Sequence, residues 1–311
     1  MNPEAAHAEK TAAALSSVWL AAFLSSLDLA VGFWSGSLGI LAEAVHSAFD
    51  LVAVLATYFA VRIGGKPPDP GHLYGHGKVE HLSALFQTLL LLGTCAWIGT
   101  EAMGRLAGKS VRVNASFWTF LAMAVSIAVD TSRSRRLRRV AAQHRSQALE
   151  ADAMHFRSHI WSSAAVVLGL VGVRAAAFPP LAFLEKADAV AALLVAALVV
   201  FVSARLGLRT IEGLMDASPS GAADQIKRRV EAIPQVLDCH AIRVRHSGPR
   251  YFVDLHITLD GGLPLRDAHA LTERVEQVVA DLLPDADVTV HPEPTNSPEQ
   301  TSSPGPSSAS A

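Results

Sequence analysis

The sequence predicts a membrane α-helical bundle of six transmembrane helices followed by a C-terminal cytosolic α/β domain, and three observations support this fold class. Half of the 311 residues are hydrophobic and 17% are charged, a composition too apolar for an ordinary soluble protein. Apolar runs of about the 20 residues that cross a bilayer fill the first two thirds of the chain. The last third alternates polar and apolar residues, as a small soluble domain does.

Six apolar runs are separated by polar or glycine- and proline-rich turns. They lie at 11–34, 38–61, 79–103, 115–129, 148–177 and 187–208. Six spans place both termini on one side of the membrane. Basic residues are concentrated on that same side, above all in an arginine block comprising Arg133, Arg135, Arg136, Arg138, Arg139 and Arg145. The positive-inside rule therefore predicts that both termini are cytoplasmic.

After the last span the pattern becomes that of a soluble domain. The predicted elements are a helix at 222–233, strands at 237–245 and 251–259, a helix at 265–283 and a strand at 288–290. This αββαβ order predicts two layers, with the helices on one face of the sheet. We therefore divide the chain into a polar N-terminal tail at 1–12, a transmembrane domain at 13–212, a cytosolic domain at 213–294 and a disordered tail at 295–311.

Two pairs of metal-binding side chains lie inside apolar helices. His46 and Asp50 are four residues apart in the second span, and His155 and His159 are four apart in the fifth. Residues at this spacing project from one face of a helix, one turn above the other. Ionisable groups inside a membrane are costly and normally mark an ion path. Two such pairs would complete one tetrahedral site of the kind that zinc prefers.

Two further groups of side chains are ambiguous from the residues alone. Asp69, His72 and His76 lie in a glycine- and proline-rich loop, where they could wrap a metal ion or simply form a polar turn. Another group is dispersed over several predicted elements of the cytosolic domain: His240, His256, His269 and His291, with Glu293 nearby. Histidines on solvated sheet faces are common, so here ordinary surface residues are the simpler interpretation.

Other functions are less consistent with the sequence. The two cysteines, Cys95 and Cys239, have no near partner, so we expect no disulfide and a cytosolic location for the soluble domain. The arginine block is most simply an orientation signal beside lipid headgroups, and without an aromatic platform it does not indicate nucleic-acid binding. A membrane di-iron oxygenase is a rival, because two histidine pairs resemble histidine boxes. The chain has no His-His dipeptide, however, which argues against an enzyme.

Taken with six spans, three sequence phrases resemble those of the cation diffusion facilitator family, and most closely its bacterial zinc and iron efflux branch. They are Gly36-Ser37-Leu38 with Ala42-Glu43-Ala44-Val45-His46-Ser47, the loop Tyr74-Gly75-His76-Gly77-Lys78-Val79-Glu80, and Ala151-Asp152-Ala153-Met154-His155. The likeness extends over about residues 13–294. It implies a ferredoxin-like C-terminal domain and a homodimer in the bacterial inner membrane that exchanges a cytosolic divalent cation for protons.

The resemblance also implies roles for the three groups of side chains. It places the transport site on His46, Asp50, His155 and His159, and a loop site on Asp69, His72 and His76. It places a cytosolic, metal-bridged dimer site on His240, His256, His269, His291 and Glu293, the last where aspartate is usual. It further implies that Lys78 pairs with Asp216 to hold the dimer together. A sensor that binds metal without transporting it is an alternative, although the intact transport site argues against it.

Position 159 departs from the family pattern, which usually has aspartate there. A site of three histidines and one aspartate has a single formal negative charge and mostly nitrogen ligands. Such a set suits zinc, iron(II), cobalt or nickel over manganese, magnesium or calcium. We therefore expect zinc as the cargo and as the regulatory ion, with iron(II) and cobalt(II) as the other candidates.

Overall fold

The computed structural model describes residues 3–35, 38–107, 117–175 and 187–295. The chain divides into two compact units, Met1–Met215 and Asp216–Ala311.

The first unit contains six long helices in its described residues. They are α1 (Pro3–Ser35), α2 (Leu38–Gly64), α3 (Lys78–Leu106), α4 (Phe117–His144), α5 (Gln147–Ala175) and α6 (Ala187–Leu214). Helix α1 packs on α2, α3 on α6, and α4 on α5, while α5 also contacts α2. Many of the buried contact residues are alanines, which allow helix backbones to approach closely. Within the described residues, Lys78–Gly104 and Leu193–Leu214 are long and apolar enough to cross a membrane.

The N-terminal segment is more ordered than the sequence suggested. We expected a polar tail over residues 1–12, but α1 already begins at Pro3. Two contacts hold its first turns in place. Lys10 Nζ lies 2.7 Å from Oε1 of the buried Glu80 on α3, and His144 Nε2 at the end of α4 lies 2.8 Å from Glu9 Oε2. These polar residues pair with partners more than 60 positions away, which is why composition alone did not predict the helix.

Helix α4 also extends further than its apolar run. The predicted span ended at residue 129, whereas the helix continues through most of the arginine block to His144. Arg133 is buried. Its guanidinium is satisfied there, because it donates to Ser17 Oγ at 2.5 Å and to the Ser17 carbonyl oxygen at 2.7 Å. The next four arginines are exposed. The block is therefore divided between a packing residue and a polar face.

The second unit has the predicted αββαβ order. Its elements are α7 (Ala222–Val230), β1 (Asp238–Ser247), β2 (Arg250–Leu259), α8 (Leu265–Leu282) and β3 (Ala286–Pro294). Strand β3 is longer than the three residues predicted. The strands lie in the order β1-β2-β3, with β1 antiparallel and β3 parallel to β2, so the sheet is mixed. Gly248, with φ of 59°, makes the tight connection between β1 and β2.

The core of this unit lies on one face of the sheet. Alternate residues of β2, including Val253, Leu255 and Ile257, are buried with Val275 and Val279 of α8. Because successive side chains on a strand point to opposite faces, the even-numbered residues of β2 face away from the helices. The polar face that results carries three of the four predicted histidines, His240, His256 and His291.

Candidate functional site

The structure brings three of the four residues predicted for the transport site together between α2 and α5. His155 Nε2 lies 3.0 Å from Asp50 Oδ1, and His159 Nε2 lies 3.9 Å from the same oxygen. One ligand atom from each of the three residues falls within 4.8 Å of the others. His155 is buried, and its Nδ1 has no hydrogen-bond partner in the described part of the chain. The nitrogen that lies beside Asp50 is Nε2, so Nε2 is the atom placed to bind a cation shared with that carboxylate.

The fourth predicted residue, His46, has a side chain outside the described residues, although its backbone belongs to α2. The sequence spacing of four predicts that it shares a helix face with Asp50. The described trio already offers two imidazoles and one carboxylate. A fourth donor from the same face of α2 would give the coordination number that zinc prefers.

A buried aromatic ring packs behind the two histidines of α5. The ring centroid of Phe156 is 5.3 Å from that of His155 and 5.9 Å from that of His159, both in edge-on geometry. The guanidinium carbon of Arg133 lies 3.5 Å from the Phe156 centroid. Ser17, which accepts from Arg133, also donates to the fully buried Asp152 at 3.3 Å. Helices α1, α4 and α5 are thus joined directly beside the cluster.

The loop between α2 and α3 holds the second predicted group. Asp69 Oδ1 lies 3.2 Å from His72 Nδ1, and Asp69 Oδ2 lies 3.3 Å from His76 Nε2. Backbone hydrogen bonds between Asp69 and His72 in both directions close the turn, and Gly75 supplies a φ of 76°. The group is exposed except for the His76 side chain. All three predicted residues therefore meet in one place.

Electrostatics keep the loop carboxylate ionised. Desolvation acts to raise the pKa of Asp69, but hydrogen bonds from the His72 side chain and from the backbone amides of His72 and Gly71 outweigh it. The pKa of Asp69 consequently lies below its ordinary value. An ionised carboxylate between two imidazoles is suited to binding a divalent cation.

On the sheet of the second unit, strand register aligns three histidines in one row. His240 on β1 is paired with His256 on β2, which is paired with His291 on β3. Glu293 lies two residues after His291 and so on the same face. Its Oε1 is 2.8 Å from His256 Nδ1, and its Oε2 is 3.2 Å from His240 Nε2. His240, His256 and Glu293 offer ligand atoms within 4.8 Å of one another.

The histidines of this row lower the pKa of Glu293. Desolvation acts to raise the pKa of Glu293. The hydrogen bond from His256 and the charges of His240, His256 and His291 outweigh desolvation, so the pKa lies below its ordinary value. Sequence reasoning missed Asp238, whose Oδ2 lies 2.8 Å from His240 Nδ1. The signal was present, because residues two apart on a strand share a face.

Three predicted residues are placed elsewhere. His269 lies on α8, where its Nε2 is 3.5 Å from Glu273 Oε1, and the structure does not bring it into the sheet cluster. Lys78 donates to the carbonyl oxygen of Leu214 at 3.3 Å, joining the start of α3 to the end of α6. Asp216 Oδ1 lies 3.9 Å from Arg245 Nη1. The expected pairing of Lys78 with Asp216 stays a prediction.

Comparison with known proteins gives two family matches that together cover most of the chain. Residues 14–215 match the cation efflux transmembrane domain, and residues 219–295 match the cytoplasmic domain of cation efflux proteins. The boundary between the two matches falls close to the division between the compact units.

Individual relatives extend over nearly the whole length. A cation-efflux pump FieF from Yersinia enterocolitica is 32% identical over 299 residues, covering 95% of this chain and 96% of the relative. The FieF pump of Serratia proteamaculans is 32% identical over 305 residues, covering 94% of this chain and 95% of the relative. Among solved structures, the metal-bound C-terminal domain of the CzcD transporter from Thermotoga maritima is 31% identical. The match covers 25% of this chain and 90% of the CzcD domain, with a TM-score of 0.23.

Proposed function

The chain belongs to the cation diffusion facilitator family of cation efflux proteins, and from this premise we propose that it exports zinc from the bacterial cytoplasm in exchange for protons. The two family matches and the FieF relatives confirm the resemblance identified in the sequence, so the protein is a membrane transporter of metal cations. It is therefore not an enzyme, and the di-iron oxygenase alternative is excluded.

The observation that carries the proposal is the cluster of Asp50, His155 and His159 between α2 and α5. Together with His46, as the sequence spacing predicts, the set would be three imidazoles and one carboxylate, which favours zinc, and after it iron(II) and cobalt(II), over harder cations. The nitrogen and oxygen atoms can take up a cation only when they are deprotonated. Metal and protons therefore compete for the same atoms.

Proton coupling follows from the histidines. An unperturbed imidazole has a pKa of roughly 6.5, so protons compete effectively with metal near neutral pH. In a cycle of alternating access, zinc entering from the cytoplasm displaces the ligands' protons, and protons from the other side displace zinc. Because protons displace zinc more readily on the more acidic side, the release of zinc there drives its export.

The remaining expectations belong to the same proposal. We place six spans in the inner membrane with both termini in the cytoplasm, since the basic residues favour that side. The second unit, as a ferredoxin-like domain, would form the homodimer and bind regulatory zinc on the row of His240, His256, His291 and Glu293. The loop group of Asp69, His72 and His76 would hold another ion. Pairing of Lys78 with Asp216 would support the dimer.

Zinc flux in proteoliposomes tests the proposal. Protein oriented with its cytoplasmic face outward should carry zinc inward faster when the lumen is acidic, and the lumen should lose protons as zinc enters. Vesicles containing His155→Ala should show neither movement, because a buried ligand is missing. Zinc flux that is unaffected by the pH difference across the vesicle membrane, with no accompanying proton movement, would contradict the exchange mechanism.

A further inference from the structure

The cytoplasmic end of α4 carries a face of four arginines that the transport cycle does not use. Arg135, Arg136, Arg138 and Arg139 are exposed, whereas the intervening Leu137 is buried. At 3.6 residues per turn, the four side chains occupy one sector of about 160° around the helix. We call these four residues the arginine face.

The arginine face is not neutralised by the described residues of its own unit. Among the described residues of the first unit, no carboxylate forms an ion pair with any of the four guanidinium groups. No acidic residue lies between positions 131 and 144 of α4. Four positive charges packed this closely repel one another, so an external anion would stabilise them.

Contacts with α1 place the arginine face at the level of the membrane surface. Helix α1 runs antiparallel to α4, with Ser17 beside Arg133 and Glu9 beside His144. The arginine face therefore lies level with the turns of α1 between Glu9 and Ser17, where the polar start of that helix gives way to its apolar run. Trp19, just beyond, is 70% exposed, and tryptophan is typical of the membrane interface.

We propose that the arginine face binds the headgroups of anionic phospholipids in the cytoplasmic leaflet. Guanidinium groups pair with phosphate oxygens through two parallel hydrogen bonds, and basic clusters at this depth are attracted to anionic lipid. Neighbouring guanidinium groups on one helix face can share headgroups of adjacent lipids. The site would anchor the end of α4 whose Arg133 packs beside the cation cluster. The inference does not depend on which cation is transported.

The test measures lipid retained by the purified full-length protein after equilibration with mixed phosphatidylcholine and phosphatidylglycerol. Wild-type protein should retain phosphatidylglycerol in excess of its share of the mixture. Replacing all four arginines of the face by glutamine should remove that enrichment. Each positive charge lost should weaken the binding of phosphatidylglycerol about fivefold. Glutamine is a good helix former at exposed positions, so α4 should remain intact.

The chain offers a control with the same change in net charge. Arg228, Arg229, Arg266 and Arg274 are exposed on α7 and α8 of the second unit, and their replacement by glutamine should leave the enrichment intact. The pair Arg135→Gln and Arg139→Gln should give a partial loss. The proposal is overturned if the wild type shows no preference for phosphatidylglycerol, if the four-residue variant retains it, or if the control loses as much.

Discussion

The cluster between α2 and α5 and the row across the β-sheet use the same kinds of side chain, histidines with one carboxylate, but they differ in exposure. In the membrane unit, His155 is buried behind Phe156, and two of the three described ligands come from one helix. On the sheet, each of three strands contributes one histidine, and the side chains of His256 and His291 are 38% and 64% exposed. The lower exposure of the first cluster suits the proposed transport site, which would have to exclude water and other ions, whereas the more open row could equilibrate with metal in the surrounding solution.

The largest effect is expected from His159→Ala, which removes one proposed ligand from the cluster between α2 and α5. Mutations that merely disturb the orientation of a ligand cost about 10- to 100-fold, so loss of the ligand itself should reduce zinc flux by more than 100-fold. Zinc binding by the sheet row should be unchanged. Flux assays in proteoliposomes measure this, and wild-type flux would show that His159 is not a ligand.

The next effect distinguishes the sheet row from the transport cluster. With zinc at about 100 times its dissociation constant, binding should stabilise the isolated fragment 213–295 by about 2.7 kcal/mol, or roughly 10 °C or more in thermal midpoint. His256→Ala should abolish most of that rise. His269→Ala is the matched control and should preserve it, because His269 lies apart on α8. An unchanged zinc response in His256→Ala would mean that the row is an ordinary polar surface.

A smaller, qualitative change is expected from His159→Asp, which restores the carboxylate usual in the family. Aspartate has an ordinary pKa of about 3.9 and stays ionised where imidazole takes up a proton. The variant should still carry zinc, but its flux should fall less steeply as the cytosolic-side pH drops from about 7.5 to 6. Manganese should be carried better than by wild type. A pH profile as steep as the wild type's would argue that His159 takes no part in proton competition.

The smallest effect concerns Glu293 in the metal-free domain. Its pKa is lowered from the ordinary 4.5, so its contribution to stability is present above that pH and is lost as the pH falls through the folded-state pKa. Glu293→Gln should therefore cost roughly 0.5 kcal/mol at pH 7, as partly exposed ion pairs do. The difference should vanish in strong acid. Urea unfolding across pH measures it, and a difference that grows towards low pH would have the wrong sign.

Spacing within one element was predictable from the sequence, whereas the register between the strands of the sheet was not. His155 and His159, and likewise Asp69, His72 and His76, were grouped correctly because a helix turn or short loop fixes their distance. The row of His240, His256 and His291 depends on how three strands align, and a β-bulge after His240 adds a further shift. From the residues alone they therefore appeared to be surface histidines.

Long-range pairing explains the other differences. Lys10 appeared to belong to a polar tail because its partner Glu80 is 70 positions away. Arg133 appeared equivalent to its arginine neighbours, although packing against Ser17 and Phe156 buries it. In both cases a charged residue is buried by a partner that local composition does not reveal.

The most direct test of the division between the two regions is zinc flux by Asp50→Ala beside Asp281→Ala. Both replace one aspartate by alanine, but Asp50 provides the carboxylate of the cluster between α2 and α5, whereas Asp281 is exposed on α8 of the second unit. We expect no zinc flux above empty vesicles for Asp50→Ala and wild-type flux for Asp281→Ala. Wild-type flux by Asp50→Ala would show that the cation crosses the membrane without this cluster, and would contradict the assignment of the transport site.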